Sequence, residues 1–172
     1  IPTEGSTATR AADVTEITGN DFGTFNLVSY SEEFDNSGWN KSNITLIPNQ
    51  VEAPNGSFTA DRVAATTAAT GRLYQDITVA AGTTYTASIY AKAGTDSSIF
   101  LREDAEDSLG LVVNLSTGQI TSGSGSVEAL SNGWYRVSFS GSVSGTNFRL
   151  EIRTSNTDYI YIWGAQLEES ST

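Results

Sequence analysis

The chain has 172 residues and a net charge of −11, with nine Lys and Arg against twenty Asp and Glu. That is room for one domain with a real core rather than two, and so acidic a surface repels nucleic-acid phosphates and an anionic bilayer. With no Cys, His or Met, the fold rests on its core rather than on disulfides, and the missing Cys leaves the compartment open.

Residues 1–25 are rich in Thr, Ala and Gly and lack a sustained apolar period, so they read as an inter-module connector preceding a module over 26–172. They show neither the basic nor the apolar stretch of a signal peptide. Together with the absence of Met, this suggests a piece of a longer chain. No apolar run approaches the roughly 20 residues of a membrane span.

From Asn26 onward short alternating segments are separated by turn signals. Ile44 to Val51 and Phe58 to Ala64 are predicted strands, parted by Ala53-Pro54-Asn55-Gly56. Arg72 to Val79 follows, then a turn at Ala80-Ala81-Gly82. Thr84 to Lys92 places Tyr85, Ala87, Ile89 and Ala91 on one face, with Thr84, Thr86, Ser88, Tyr90 and Lys92 on the other. Ile99 to Glu103 comes next, then Leu109 to Leu115 with Leu109, Leu111, Val113 and Leu115 on one face. Ser116-Thr117-Gly118 turns into Gln119 to Thr121. Trp134 to Ser140, Asn147 to Thr154 and Thr157 to Leu167 complete about ten strands. Each has one apolar face, the pattern of a two-sheet antiparallel β-sandwich whose outer faces are wet; at this size the expected form is a jelly roll.

Without His or Cys, serine–histidine and cysteine–histidine nucleophile systems cannot be built from this chain alone. Carboxylates remain. Glu32, Glu33 and Asp35 lie close together, as do Glu103, Asp104, Glu106 and Asp107. Three readings stand side by side: solvated turns, a Ca²⁺ site built from loop oxygens, or a glycosidase pair facing across a cleft.

A sugar site combines aromatic planes with Arg, Glu, Asn or Gln groups that bond hydroxyls. In Asn147 to Thr154, Phe148, Leu150 and Ile152 are predicted to face the core, sending Arg149, Glu151 and Arg153 outward. Tyr90 and Lys92 end the outward set of Thr84 to Lys92. Phe100 and Arg102 point outward from the strand read as its neighbour, and Arg72, Tyr74 and Gln75 lie on a strand that could sit beside them. The competing reading is that these charges are cross-strand ion pairs that protect sheet edges. Trp39 and Trp134 read as packing residues. Trp163 has the opposite parity to Ile160 and Ile162 and is the exposed candidate, alongside Tyr159 and Tyr161.

Asn26-Leu27-Val28-Ser29 through Phe34-Asp35 to Gly38-Trp39 resembles the opening strand of carbohydrate-binding modules of families 4 and 9. Thr83 to Lys92 resembles their central strand. Gly133-Trp134-Tyr135-Arg136-Val137-Ser138, with Tyr161 to Glu168, resembles their closing strands. The wording NLVSYSEEFDNSGW, NGWYRVS and YIWGAQLEE is closer still to modules found in tandem in bacteriophage tail-fibre and other virion surface proteins. In that group a phrase like the GAQLEESST of this chain is commonly followed by one like its IPTEGSTATRAAD. The chain therefore resembles one period of a tandem array.

The resemblance implies a concanavalin-like jelly roll that recognises a polysaccharide or oligosaccharide on a concave sheet face. It also implies a place at the virion surface or outside the cell beside neighbouring copies, and often one structural Ca²⁺. Relatives carry an Asp pair for that metal where this chain has Trp163-Gly164, which leaves Glu33 and Asp35 as the remaining donors. The expected ligand-binding set is Tyr74, Gln75, Tyr90, Lys92, Arg102, Arg149, Glu151, Arg153 and Trp163. A non-catalytic glycan-binding module is the leading reading; a structural or oligomerisation module of a fibre is the second, and a polysaccharide depolymerase the third.

Overall fold

The computed structural model describes residues 25–67, 70–105, 109–155 and 157–170, so the connector read over 1–25 lies outside the described residues except for Phe25. Twelve strands run through the described chain in the order β1 (Asn40–Ser42), β2 (Ile44–Val51), β3 (Ala60–Ala65), β4 (Gly71–Thr78), β5 (Thr84–Ala93) and β6 (Ser98–Glu103). Then come β7 (Gly110–Asn114), β8 (Gln119–Gly123), β9 (Ser126–Ala129), β10 (Trp134–Ser142), β11 (Asn147–Thr154) and β12 (Tyr159–Glu169). They form two six-stranded sheets: sheet A in the order β1-β4-β11-β6-β7-β8, and sheet B in the order β2-β3-β12-β5-β10-β9. All pairings are antiparallel, giving the jelly-roll sandwich expected from the sequence.

Ten of the strands fall where the sequence predicts them: in most, one buried face produces the period-two alternation, while β8, exposed along its length, is marked by the turn before it. β1 and β9 do not. Their sequences, NKS and SVEA, are too short and polar to carry a period, and they form only as partners to β4 and β10. The core lies between the sheets. Leu73, Ile89, Ile99, Leu101, Leu111, Phe148, Leu150, Ile152, Ile160 and Ile162 are buried in it, each contributing roughly 1.5–3 kcal/mol. Phe148 stacks on Phe139 with ring centroids 6.2 Å apart.

The opening segment differs from the expected strand. Three successive turns curl it, with Glu33 N–H bonded to Tyr30 O, Asn36 N–H to Glu33 O and Trp39 N–H to Asn36 O, each 3.1 Å. Extended pairing cannot continue through such a run. The segment packs by insertion instead: Val28, Phe34 and Trp39 enter the core, and Trp39 Nε1 donates to Tyr30 O at 3.0 Å. Asn26 then joins it to β12, its amide donating to Ala165 O at 3.1 Å and its Oδ1 accepting from Leu167 N–H at 3.0 Å.

Asp61 on β3 is buried close to this segment. Its Oδ1 accepts from Asn49 N–H at 3.0 Å, while Oδ2 has no partner. Burial is the main force on its carboxyl, which is pushed up to about 6.

Candidate functional site

The two outer faces of the sandwich differ in what lies on them. On sheet A, strand alternation turns Arg72, Tyr74 and Asp76 outward from β4, Arg149, Glu151 and Arg153 outward from β11, and Phe100 and Arg102 outward from β6. Register then sets them side by side. Arg149 faces Asp76, Glu151 faces Tyr74, and Arg153 faces Arg72 across β11 and β4. On the other side of β11, Glu151 faces Arg102 and Arg153 faces Phe100.

These groups form a bonded carpet. Arg149 grips Asp76 through two bonds, Nε to Oδ1 at 2.8 Å and Nη2 to Oδ2 at 3.0 Å, a bidentate geometry that favours both charges. That hydrogen bonding holds the Asp76 carboxyl below its usual range and raises Arg149. The Arg149 guanidinium also lies 4.5 Å from the Tyr74 ring centroid. Asp104, just beyond β6, bridges Arg102 and Arg153, the latter at 2.9 Å. Arg153 Nε bonds Glu151 Oε1, and the guanidinium carbons of Arg102 and Arg153 lie 5.2 and 5.5 Å from the Phe100 ring centroid.

Glu151 is the odd member. Its side chain is only 1% exposed although it points to the outside, and its Oε2 has no hydrogen-bond partner. A buried carboxylate oxygen left unpaired is costly, so the face holds an unspent acceptor beneath its arginines.

Two hollows mark the ends of this face. One of 210 Å³ lies at the Phe100 and Arg153 end, with Thr70, Ser98, Val112, Thr154 and Ser155 around it. The other, of 400 Å³, lies at the Asp76 end beside Tyr30 and Gly38.

Sheet B presents Tyr90 and Lys92 from β5 and Trp163 from β12, and its own chain folds over them. Trp134 Nε1 donates to Glu52 O and Trp163 Nε1 to Thr59 Oγ1, both at 3.1 Å. Trp134, Ala53 and Ala60 form a second apolar cluster against which Val51, Tyr90, Tyr161 and Trp163 pack. The Tyr90 and Trp163 rings are 5.4 Å apart. These aromatics are engaged in holding the segment between β2 and β3.

The predicted set therefore divides. Tyr74, Arg102, Arg149, Glu151 and Arg153 come together on sheet A, while Tyr90, Lys92 and Trp163 stand on the opposite side of the sandwich. The expected adjacency of the Tyr90 strand and the Arg102 strand fails because the turn between β5 and β6 carries the chain from one sheet to the other. Gln75 faces inward: its Oε1 accepts from Ser29 N–H at 2.9 Å, and its Nε2 donates to Ser29 O at 3.1 Å and Gly38 O at 3.3 Å. It anchors the opening segment.

Asp76 and Asp104, which complete the ion pairs, were outside the predicted set. Asp76 has the outward parity of Tyr74 and could have been found; Asp104 lies past a strand end, where parity no longer guides. Trp163 is half-buried rather than open.

Glu33 and Asp35 are exposed on either side of buried Phe34, and among the described residues no group of three or more acidic chains gathers.

No family model and no curated protein sequence matches the chain. Solved structures do match its fold. The enzymatically active domain of tailspike protein 4 from bacteriophage CBA120 is 18% identical, with a TM-score of 0.54 over 84% of this chain and 21% of that one. This chain thus spans about a fifth of the tailspike structure. The CBM22-1 xylan-binding domain of Paenibacillus barcinonensis Xyn10C is 15% identical, with a TM-score of 0.57 over 87% of this chain and 97% of that domain. TmCBM61, solved with β-1,4-galactotriose, is 15% identical, with a TM-score of 0.54 over 85% of this chain and 99% of that module. At these identities the likeness is one of fold: the sandwich has the architecture of carbohydrate-binding modules.

Proposed function

We propose that the protein is a non-catalytic glycan-binding module that recognises polysaccharide on the outer face of sheet A. The observation that carries this reading is the row of Tyr74, Glu151 and Arg102 beside Arg153 and Phe100, where aromatic planes stand among charged groups already held in place by one another. Ion pairing fixes the arginine side chains before a ligand arrives, which lowers the ordering cost of binding. The fold it shares with a xylan-binding domain and a galactotriose-binding module supports the same reading, and so do the sequence phrases at Asn26, Gly133 and Tyr161.

A depolymerase fits less well. Asp76, Asp104 and Glu151, the outward carboxylates named on this face, are each bonded to an arginine, so none of them stands free to face a partner across a cleft as a glycosidase pair requires. The setting we infer is a virion or other extracellular surface, consistent with the tail-fibre-like wording of the sequence and the fold shared with part of a phage tailspike.

Affinity electrophoresis in gels containing soluble polysaccharides tests the reading. Retardation that is lost when Tyr74 and Phe100 are both replaced by Ala supports it. Unretarded migration across a broad polysaccharide panel would contradict it and favour a structural module.

A further inference from the structure

Arg102, Arg149 and Arg153 each bond a carboxylate on sheet A. Arg72 does not: it is exposed on β4, and no carboxylate partner accompanies it among the described residues. It stands directly opposite Arg153, and like charges facing across strands destabilise a sheet. Glu151 and Asp104 answer the charge of Arg153; among the described residues no carboxylate answers Arg72.

The row continues from Arg72 through Arg153 and Phe100 to Val112. Beside it lies the 210 Å³ hollow, whose lining among the described residues has one aromatic plane, one guanidinium and four hydroxyl-bearing side chains, but no carboxylate. The hollow is smaller than the roughly 300–1,000 Å³ sites that enclose drug-sized ligands, a size for one sugar ring rather than several.

We propose that this hollow is a subsite for a single acidic sugar residue. Its ring lies on Phe100, and its carboxylate or sulfate sits between Arg153, which lines the hollow, and Arg72, which faces Arg153 from β4. The inference rests on the glycan-binding reading and specifies its ligand class. The overall charge of −11 does not oppose it at contact range, because exposed charges beyond about 8 Å are largely screened at physiological ionic strength. At contact range Glu151 and Asp104 answer Arg153, and the guanidinium of Arg72 is the one left to attract an anion.

A glycan array carrying neutral, uronate-containing and sulfated saccharides, followed by titration of the best binder and its neutral counterpart, tests the proposal. The acidic saccharides are expected to bind about tenfold or more tightly than the neutral ones, the effect of one charge-assisted hydrogen bond, and to weaken as salt rises. The uronate and sulfate arms distinguish which anion is read. Arg72→Gln, at an exposed position, is expected to abolish the preference while leaving neutral-sugar binding unchanged and the fold at least as stable, since it relieves the repulsion of Arg153. Equal or stronger binding of neutral saccharides, unmoved by Arg72→Gln, overturns the acidic subsite and leaves the glycan-binding reading standing. No binding to any class overturns both.

Discussion

Arg149 lies over the ring of Tyr74, its guanidinium carbon 4.5 Å from the centroid, while the same guanidinium is clamped by both oxygens of Asp76. The clamp holds the cation against the ring, so Tyr74 is oriented by a partner that is itself oriented. Release of Arg149 in an Asp76→Ala variant is expected to lower glycan affinity about three- to tenfold, through lost preorganisation. The stability change should stay within about 1 kcal/mol, as for partly exposed ion pairs. Isothermal titration together with thermal unfolding separates the two effects.

The aromatics of sheet B are expected to act on stability. Trp134→Ala opens a cavity in the second apolar cluster and strands Glu52 O, and should cost about 3–5 kcal/mol. Trp163→Phe keeps most of the packing but loses the bond to Thr59, for a cost of about 1 kcal/mol. Chemical denaturation measures both.

Much of the fold was legible because jelly-roll strands bury one face each. The inward set of Thr84 to Lys92 and that of Asn147 to Thr154 follow directly from parity, and so does the outward trio Arg149, Glu151 and Arg153. Parity names a face without saying which sheet carries it. Tyr90 and Arg102 have equivalent outward positions on consecutive strands, yet the chain changes sheets between them, and only the pairing of β6 with β11 rather than with β5 separates them. Gln75 shows the opposite limit: a polar side chain next to outward Tyr74 is inward, and long-range bonds to Ser29 and Gly38 make that tolerable. Nothing in the local sequence signals those partners.

Gly164 has φ 61°, and a Cβ there would meet Tyr90 Cδ2 at 3.1 Å. It lies where the register of β12 against β5 shifts, between Trp163 and Gln166. Gly164→Ala should therefore cost about 1–2 kcal/mol from the left-handed backbone, with crowding of Tyr90 added. Comparison with Gly56→Ala, at a surface turn with φ 85° and no atom within 3.4 Å of the added carbon, isolates the crowding.

Asp61 makes stability depend on pH in a defined direction. Its carboxyl is raised from 3.8 to about 6 in the fold, so between those values the native state holds a proton that the unfolded chain has lost. Its contribution is present at low pH and disappears as pH rises through about 6, a loss on the order of 2–3 kcal/mol. Asp76 works oppositely, since its lowered carboxyl loses its contribution in acid. Thermal unfolding of the wild type and Asp61→Asn at pH 4.5 and 7.5 should show the variant gaining stability relative to wild type at the higher pH. Parallel pH profiles would contradict this assignment.

In the proposed reading sheet A, not sheet B, meets the glycan. Its most direct test is to titrate one array-identified polysaccharide against wild type, Tyr74→Ala with Phe100→Ala, and Trp163→Phe. At least a tenfold loss of affinity is expected for the sheet A double variant, consistent with the worth of aromatic contacts, with wild-type affinity for Trp163→Phe. Unchanged binding by the double variant, with loss in folded Trp163→Phe, would place the site on the other sheet and contradict it.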